Sequence, residues 1–329
     1  MDMKVLVNAL TEFGVDITLN EIFQMWDKRG RYHHTTEFHL FPLLEEIENY
    51  EYFENEHDRF MLIVAALFHD IIYDKKGDKD VDNSIMFFRT CVSNHFLNEE
   101  QKRIVQIIEN TKDHKPKGDK LSDVFNELDL KVLEQPLAGM LQYERNIFLE
   151  FQEYPFDKYK ERRIEILTSL LRRDRYMLPT LIEYIKNYVP KIGLYAGSFN
   201  PFTVAHLNIL EKAETIFDKV IVAQLKNPDK DTPSATSLLN LNRELIFSDE
   251  LLVDIITKVE SYADVTLVRG LRNTDDFKEE NKLAFYLKEQ KPDIKIVYFV
   301  SDKEFEYISS SDIRILKKLD SKLADKFII

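Results

Sequence analysis

One stretch of this 329-residue chain combines a phosphate-binding pattern with a histidine. Residues 191–210 read KIGLYAGSFNPFTVAHLNIL, an apolar run that breaks at Gly197 and regains helical spacing from Val204. A strand, a tight turn and a helix in this order direct backbone N–H groups and a helix N-terminus at an anion. His206, the only histidine after His114, falls near the start of that helix. The pattern predicts that this stretch binds phosphate and presents an imidazole to it.

Three further polar motifs follow apolar, β-rich runs later in the chain. They are NPDK, which ends at Lys230, VRGLRN, which contains Arg269 and Arg272, and YISSSDI, which contains Ser309, Ser310 and Ser311. Each motif alone is compatible with a solvated charge, an ion pair or a helix cap. At the carboxyl ends of strands in one sheet, however, they would together offer the donors that a triphosphate requires.

A different chemistry is indicated in the first half, which holds seven of the eight histidines. A lone histidine is usually structural or solvated. The pair His69-Asp70 is different because it ends an apolar helical segment, LIVAALFHD. An ionisable pair at such a place costs desolvation free energy unless a partner compensates. Since imidazole and carboxylate suit divalent transition metals, the pair predicts a metal site.

The elements that must position these residues are of two kinds. Residues 1–190 show helical spacing almost throughout, although the spacing fades over residues 182–189. Beyond Pro190, β-rich runs at 192–196, 220–223, 265–268 and 294–300 alternate with helical segments. This alternation predicts right-handed βαβ units and a parallel sheet covered on both faces. We therefore expect two domains, an all-α domain over 1–190 and an α/β, Rossmann-like parallel-sheet domain over 191–329.

Composition narrows the classes of partner. A net charge of −13 argues against binding to nucleic acid or to an anionic membrane surface. The single cysteine, Cys91, lies in an apolar stretch, which predicts a buried, inert thiol and a reducing compartment. The N-terminal segment has no signal-peptide pattern, and the longest apolar run, 61–68, is too short to span a bilayer. We expect a cytoplasmic protein.

Residues 191–329 resemble the nucleotidyltransferases with the T/H-x-G-H signature, and among these the phosphopantetheine adenylyltransferases. The segments GSFNPFTVAH, NPDK, LLVDI, RGLR, DFKEE and YISSS occur in that family's order. The resemblance implies adenylyl transfer from ATP, with Mg²⁺ as counterion, to a small phosphate-bearing acceptor. The acceptor that it favours is 4′-phosphopantetheine, which would give dephospho-CoA and pyrophosphate. It is also compatible with a homo-oligomer.

The same resemblance implies roles for individual residues. His206 would stabilise charge at the α-phosphate, Lys230 would bridge the two reacting phosphates, and Arg269 would contact the acceptor. The residues that it assigns to ATP or acceptor binding are Gly197, Ser198, Phe199, Thr203, Arg272, Glu280, Ser309, Ser310 and Ser311.

Three features depart from the family pattern. The signature glycine is Ala205, Asp231 stands where a second lysine is common, and the segment 231–250 is short. Ala205 favours an alternative in which this half is a non-catalytic nucleotide or coenzyme A-precursor sensor. A second alternative is another acceptor such as nicotinamide mononucleotide, against which RGLR and LLVDI argue.

The first half resembles the HD-type metal-dependent phosphohydrolases over about residues 20–175. The matching segments are RYHHT, ALFHDIIYD, TKDH and ELDLKVL. The resemblance implies a divalent transition metal (Mn, Fe, Ni or Zn) held by His34, His69, Asp70 and Asp129, with His39 as an alternative to His34. The implied reaction is hydrolysis of a small nucleotide-like phosphate. The alternative is a helical domain that keeps the scaffold without the activity.

Overall fold

The computed structural model describes residues 2–75, 79–92, 97–226, 238 and 241–329. The chain divides into two compact units, one of Met1–Phe151 and Glu165–Glu183 and the other of Gln152–Ile164 and Tyr184–Ile329. Compared with the predicted boundary at Pro190, the second unit also includes residues 152–164 and 184–190.

The described part of the first unit is helical. Its helices are α1 (Met3–Glu12), α2 (Leu19–Trp26), α3 (Phe41–Asn49), α4 (Glu56–Phe68), α5 (Asp80–Cys91), α6 (Glu99–Asn110), α7 (Lys120–Asp129) and α8 (Leu137–Glu150). A π-helical turn, Thr36–Leu40, leads into α3, and a 3₁₀ turn, Leu130–Glu134, follows α7. The remaining helices are α9 (Phe156–Ser169), which the division between the units meets after residue 164, and α10 (Leu178–Asn187), which it meets after residue 183.

Helix α10 corrects one expectation from the sequence. The helical spacing was expected to fade over residues 182–189, yet α10 continues to Asn187. Leu178, Leu181, Ile182 and Ile185 are all buried and follow the spacing of one helix face. Burial of that face stabilises the helix although its exposed face is polar.

Helix α4 lies at the centre of the first unit and carries the His-Asp pair at its end. Every residue from Phe60 to Phe68 is buried, as expected of a helix with neighbours on all sides. Asn55 caps the N-terminus by accepting from the Asp58 N–H. The helix ends at Phe68, and His69, its buried C-cap residue, donates its N–H to the Ala65 carbonyl oxygen.

The second unit contains a five-stranded parallel sheet, which confirms the predicted parallel-sheet region. The strands are β1 (Lys191–Gly197), β2 (Lys219–Leu225), β3 (Leu245–Ser248), β4 (Asp264–Leu271) and β5 (Ile296–Val300), in the order β3-β2-β1-β4-β5. Tyr195 in β1 lies opposite Val222 in β2 and Val268 in β4. The direction of winding reverses between β1 and β4, so a ligand crevice is expected at their carboxyl ends.

Helices cover the sheet of the second unit on both faces. They are α11 (Val204–Glu214), α12 (Leu252–Glu260), α13 (Thr274–Gln290), α14 (Ser310–Leu319) and α15 (Ser321–Asp325). One apolar cluster forms around Leu194 and Ile256, and a second around Tyr195 and Ile209. The side chains of successive β1 residues therefore pack into the two apolar clusters on opposite faces of the sheet, because side chains alternate between the faces along a strand.

Strand β3 was not among the predicted strands. It is an edge strand of four residues, and none of them is fully buried. Its apolar run, residues 245–247, is shorter than the run of about four to eight apolar residues that indicates a buried strand, so the sequence does not distinguish it from a loop.

Two smaller expectations can also be compared with the structure. The Cys91 thiol is free and buried, as predicted. In the described part of the chain, no helix has the length and apolar character needed to cross a membrane.

Candidate functional site

The turn after β1 has a backbone that only certain residues can adopt. Phe199 has a positive φ of 40°, and a Cβ on Gly197 would lie 2.9 Å from the Phe199 ring. Glycine is therefore required at position 197. Buried Gln224, at the end of β2, donates from Nε2 to the carbonyl oxygens of Ser198 (3.1 Å) and Phe199 (3.2 Å). The sequence analysis did not identify Gln224, although a polar residue near the end of an apolar strand was an available signal.

His206 is held at the start of α11 by a capping box with Thr203. The Thr203 N–H donates to His206 Nδ1 at 3.0 Å, and Thr203 Oγ1 lies 3.0 Å from the same nitrogen. Because Nδ1 accepts, the neutral ring carries its proton on Nε2. Burial, together with the charge of Arg272, lowers the pKa of His206 to about 4. At neutral pH the imidazole is an uncharged donor.

The two arginines at the end of β4 are oriented by carboxylates of α13. Arg269 makes a bidentate pair with Glu280, in which both N–O distances are 2.6 Å, and its Nη1 donates to the Ala196 carbonyl oxygen. Arg272 makes a bidentate pair with Asp276 at 2.7 and 2.8 Å, which raises the pKa of the guanidinium. A guanidinium has five N–H groups. Each arginine therefore keeps donors for an anion after these pairs have formed.

The three serines have different partners at the start of α14. Ser309 is the N-cap residue and accepts from the Asp312 N–H at 3.0 Å. The Ser310 hydroxyl donates to the Pro201 carbonyl oxygen at 2.9 Å, and the Ser311 hydroxyl accepts from Arg314 at 3.0 Å. The hydroxyls thus cap the helix and tie it to the turn that follows β1.

These elements enclose one cavity of about 270 Å³ at the carboxyl ends of β1 and β4. The predicted site residues that line it are Gly197, Ser198, Phe199, His206, Arg269, Arg272, Glu280, Ser309, Ser310 and Ser311. Ala205 is 4% exposed, and its methyl group lies in the cavity wall.

Two predicted residues have a different status. Thr203 was expected to line the phosphates, but it is fully buried and acts by holding His206. Lys230, with the rest of NPDK and Asp231, lies outside the described residues.

Comparison with known proteins identifies this part of the chain. The sequence model of the cytidylyltransferase-like family matches residues 194–315. Phosphopantetheine adenylyltransferase of Streptococcus pneumoniae (strain CGSP14) is 37% identical over 145 residues, which cover 41% of this chain and 88% of that protein. The enzyme of that name from Streptococcus suis (strain 05ZYH33) is 35% identical over 141 residues, 38% of this chain and 83% of that protein. This chain belongs to the phosphopantetheine adenylyltransferase family.

The family assignment makes the parallel-sheet region a nucleotidyltransferase domain, of the adenylyltransferase kind. A solved structure from Vibrio parahaemolyticus, assigned as a nicotinate-nucleotide adenylyltransferase, is 22% identical and covers 38% of this chain and 79% of its own. Its TM-score is 0.26, too low to bear on the fold.

A second cluster of polar side chains lies in the helical unit, outside the transferase domain. His39, His69 and Asp70 each place a ligand atom within 4.8 Å of the others. His39 Nε2 is 3.0 Å from His69 Nε2 and 3.2 Å from Asp129 Oδ1. His69 Nε2 is 3.3 Å from Asp70 Oδ2 and 3.4 Å from Asp129 Oδ1. His39 Nε2 is 3.8 Å from Asp70 Oδ2. Ligand atoms about 2.1 Å from one ion lie about 3.0–3.4 Å apart, so His39, His69 and Asp70 could hold a single divalent cation after a small adjustment, with Asp129 Oδ1 beside the two histidines.

Hydrogen bonds behind the cluster orient the ligand atoms toward one another. His69 Nδ1 lies 3.0 Å from the Ala66 carbonyl oxygen, which directs Nε2 into the cluster. Asp129 Oδ2 accepts from His114 at 2.8 Å, whereas Oδ1 is buried and has no hydrogen bond within the described part of the chain. Burial opposes a charge on His69, but Asp70 and Asp129 raise its pKa to about 9. The cluster attracts a cation.

His34, the residue predicted as first ligand, lies beside this cluster. Its Nε2 is 3.7 Å from Asp70 Oδ2, and its Nδ1 is 2.7 Å from Glu150 Oε2. The Tyr73 ring stacks on the imidazole with 3.9 Å between centroids. The two alternatives for the first ligand lie at similar distances from Asp70 Oδ2, 3.7 Å for His34 and 3.8 Å for His39. The close approach of His39 to His69 and Asp129, and the bond of His34 to Glu150, favour His39.

Glu150 holds the whole segment that carries His34. Its Oε1 accepts from the N–H groups of Tyr32, His33 and His34 at 2.8, 2.8 and 2.9 Å. Burial opposes ionisation of this carboxyl, but His34 and these N–H groups lower its pKa to about 2. The sequence contains no signal for this role, because Glu150 is one of many helical glutamates and lies 116 residues from His34.

A cavity of about 290 Å³ gives access to the cluster, since its lining includes His33, His39 and Asp129. A small molecule that entered this cavity would contact His39 and Asp129 of the cluster.

Proposed function

We propose that the transferase domain moves the adenylyl group of ATP to the phosphate of 4′-phosphopantetheine, with release of dephospho-CoA and pyrophosphate. The observation that carries this proposal is the single cavity that brings His206, Arg269, Arg272 and Ser310 together at the β1–β4 crevice. The names of the Streptococcus relatives support the choice of acceptor.

In the proposed reaction an acceptor phosphate oxygen attacks the α-phosphorus of ATP in line with the bond to the β-phosphate. That bond breaks, pyrophosphate leaves, and no covalent enzyme intermediate forms. His206 donates from Nε2 to the α-phosphate as negative charge develops there. Arg272 and the N-terminus of α14 bind the β- and γ-phosphates, and Arg269 binds the acceptor phosphate. Lys230 bridges the reacting phosphates, and Mg²⁺ accompanies the triphosphate.

The test is incubation of the full chain with ATP, Mg²⁺ and one phosphate acceptor at a time, with pyrophosphate release and product mass as readouts. We expect dephospho-CoA from 4′-phosphopantetheine. A dinucleotide product from nicotinamide mononucleotide instead would assign another acceptor. ATP binding without turnover of any acceptor would contradict the transferase proposal and favour the sensor alternative that Ala205 suggests.

We also propose that the helical unit is an HD-type, metal-dependent phosphohydrolase acting on a small nucleotide-like phosphate. The observation that carries this proposal is the convergence of His39, His69, Asp70 and Asp129 at ligand-to-ligand distances that suit one ion. A divalent Mn, Fe, Ni or Zn ion held there would supply Lewis acidity toward a phosphoryl oxygen and a nucleophile from water. Asp129 and His69 are held for this by His114 and the Ala66 carbonyl group.

Elemental analysis of the purified full chain tests this second proposal. We expect about one transition-metal ion per chain, and loss of both the metal and phosphate release in a His69→Ala/Asp70→Ala variant. A wild-type protein that binds no added divalent metal would contradict the proposal. So would a double variant that retains all phosphate release from a nucleotide panel.

A further inference from the structure

Ser301 carries a buried hydroxyl that the proposed reaction does not use. The residue is 8% exposed, and its Oγ has no hydrogen-bond partner among the described residues. It also lines the transferase cavity. Leaving a buried hydroxyl without a partner costs stability, because the group has lost its hydrogen bonds to water. A ligand atom that restores the bond would recover that cost.

The backbone around Ser301 is fixed on both sides. The Ser301 N–H donates to the Leu271 carbonyl oxygen at 2.8 Å, so residue 301 extends β5 beside the end of β4. Asp302 exchanges two hydrogen bonds with Asn208 of α11, at 2.7 and 3.0 Å, and accepts from Lys212 at 2.8 Å. The backbone that carries the Ser301 side chain is therefore held in place before any ligand binds.

The part of the cavity next to Ser301 differs from the part around the phosphate-binding groups. Asn208 and Lys212 of α11 bind Asp302 and so hold the segment 301–302 against that helix. Ala205 and Ile209, on the same helix, line the cavity. Ile209 packs on Gly270, where an added Cβ would lie 3.0 Å from its side chain. Ala205, Ile209 and Gly270 line the cavity together with Ser301, and their side chains offer no donor to a phosphate. Apolar lining residues beside one unpaired hydroxyl suit a heterocyclic base with a polar edge.

We infer that Ser301 binds the nucleobase of the nucleotide, with its hydroxyl hydrogen-bonded to a polar atom on the edge of the base. This inference rests on the proposed transferase function and adds to it a residue that selects the base. Because a hydroxyl both donates and accepts, either a ring nitrogen or an exocyclic amine can be its partner.

Calorimetric titration of the full chain with Mg²⁺–ATP tests the inference without any acceptor. In Ser301→Ala we expect ATP to bind about 5- to 10-fold more weakly, as loss of one neutral hydrogen bond predicts. The thermal midpoint of the ligand-free variant should be equal to or above that of wild type, because an unsatisfied buried hydroxyl has been removed. A structural serine would give the opposite shift in midpoint. The matched control is Ser261→Ala, which removes an exposed hydroxyl already bonded to the Lys258 carbonyl oxygen.

Base-modified ATP analogues locate the contact. Among analogues that lack in turn the exocyclic amine and each ring nitrogen, one should bind wild type and Ser301→Ala equally. With 2′-deoxy-ATP the variant should lose as much affinity as with ATP. Equal affinity of wild type and Ser301→Ala for ATP would overturn the inference. It would also be overturned if the variant bound ATP more weakly than wild type but bound 2′-deoxy-ATP equally well, because the contact would then be to the ribose. Failure of wild type to bind ATP at all would overturn the proposed transferase function as well.

Discussion

The two polar clusters of this chain have opposite electrostatic designs. In the transferase cavity, Arg269 and Arg272 are each paired with one carboxylate and keep further N–H groups, while His206 is a neutral donor. In the helical unit, imidazole nitrogens and carboxylate oxygens converge at 3.0–3.8 Å. The first arrangement suits an anion and the second suits a cation. The ligand is therefore indicated by what remains after the internal hydrogen bonds have formed, rather than by the residue types alone. Remaining N–H donors indicate an anion, and remaining lone pairs indicate a cation.

The clusters also differ in how the chain builds them. In the transferase domain two supporting bonds are local, Thr203 to His206 and Arg272 to Asp276, although Ser310 reaches Pro201 across 109 residues. In the helical unit His39 meets His69 across 30 residues, and Glu150 meets His34 across 116. Local spacing can be read from a sequence, whereas convergence over such distances is a result of packing.

The largest expected effect is that of His206→Ala on the transferase. Loss of the Nε2 donor should lower the rate of pyrophosphate formation about 100- to 1000-fold. His206→Gln is the matched control, since glutamine at the same position can restore the bond to the Thr203 N–H. Glutamine also carries amide N–H donors, so the two roles are separated by the alanine variant: loss of stability with an unchanged rate would show that His206 serves the helix cap rather than the reaction. Metal content of both variants should equal that of wild type.

Metal affinity should separate His39 from His34. Loss of a direct ligand in His39→Ala should weaken binding of Mn²⁺ or Zn²⁺ by more than about 100-fold, whereas loss of a neighbouring residue in His34→Ala should cost about 10- to 100-fold. His57→Ala, which removes a partly exposed histidine of the same unit, should leave affinity unchanged. Competition with a chelating dye measures all three. Equal losses for His34 and His39 would refute the ligand assignment based on distance.

Glu150→Gln should destabilise the helical unit in a pH-dependent way. At pH 7 we expect a loss of about 1–3 kcal/mol, because the charged acceptor for His34 and three N–H groups becomes neutral. The folded-state pKa of Glu150, about 2, is below the ordinary value of 4.5, so its contribution is full above pH 4.5. That contribution is lost as the pH falls through about 2.

Urea unfolding at pH 7, 5, 4 and 3 measures the free energy of unfolding of Glu150→Gln and of wild type. The difference between these two free energies should become smaller below pH 4.5. Glu127→Gln is the control, since this exposed carboxylate pairs with exposed Arg172 at 3.4 Å, and its loss should change stability by less than about 0.5 kcal/mol. A difference in the free energy of unfolding that stays constant over this pH range would contradict the proposed role of the Glu150 charge.

The smallest effect is expected for Ala205→Gly, which restores the family signature. Glycine within the first turn of α11 should cost about 1 kcal/mol of stability. Because the Ala205 methyl lies in the cavity wall, ATP affinity should change by less than about tenfold. Thermal unfolding and calorimetry provide both values. If Ala205→Gly instead increased the transferase rate by far more than about tenfold, the Ala205 methyl group would be shown to obstruct the nucleotide.

The sequence by itself determined the local parts of this protein. The turn between β1 and α11, the start of α14 and the buried helix before His69-Asp70 follow from residue order, because helix caps and apolar periodicity act over a few residues. Tertiary structure alone decided the pairing of Arg269 with Glu280, the position of His39 within the cluster and the role of Glu150. These depend on which distant side chains packing brings together, and no local spacing encodes that.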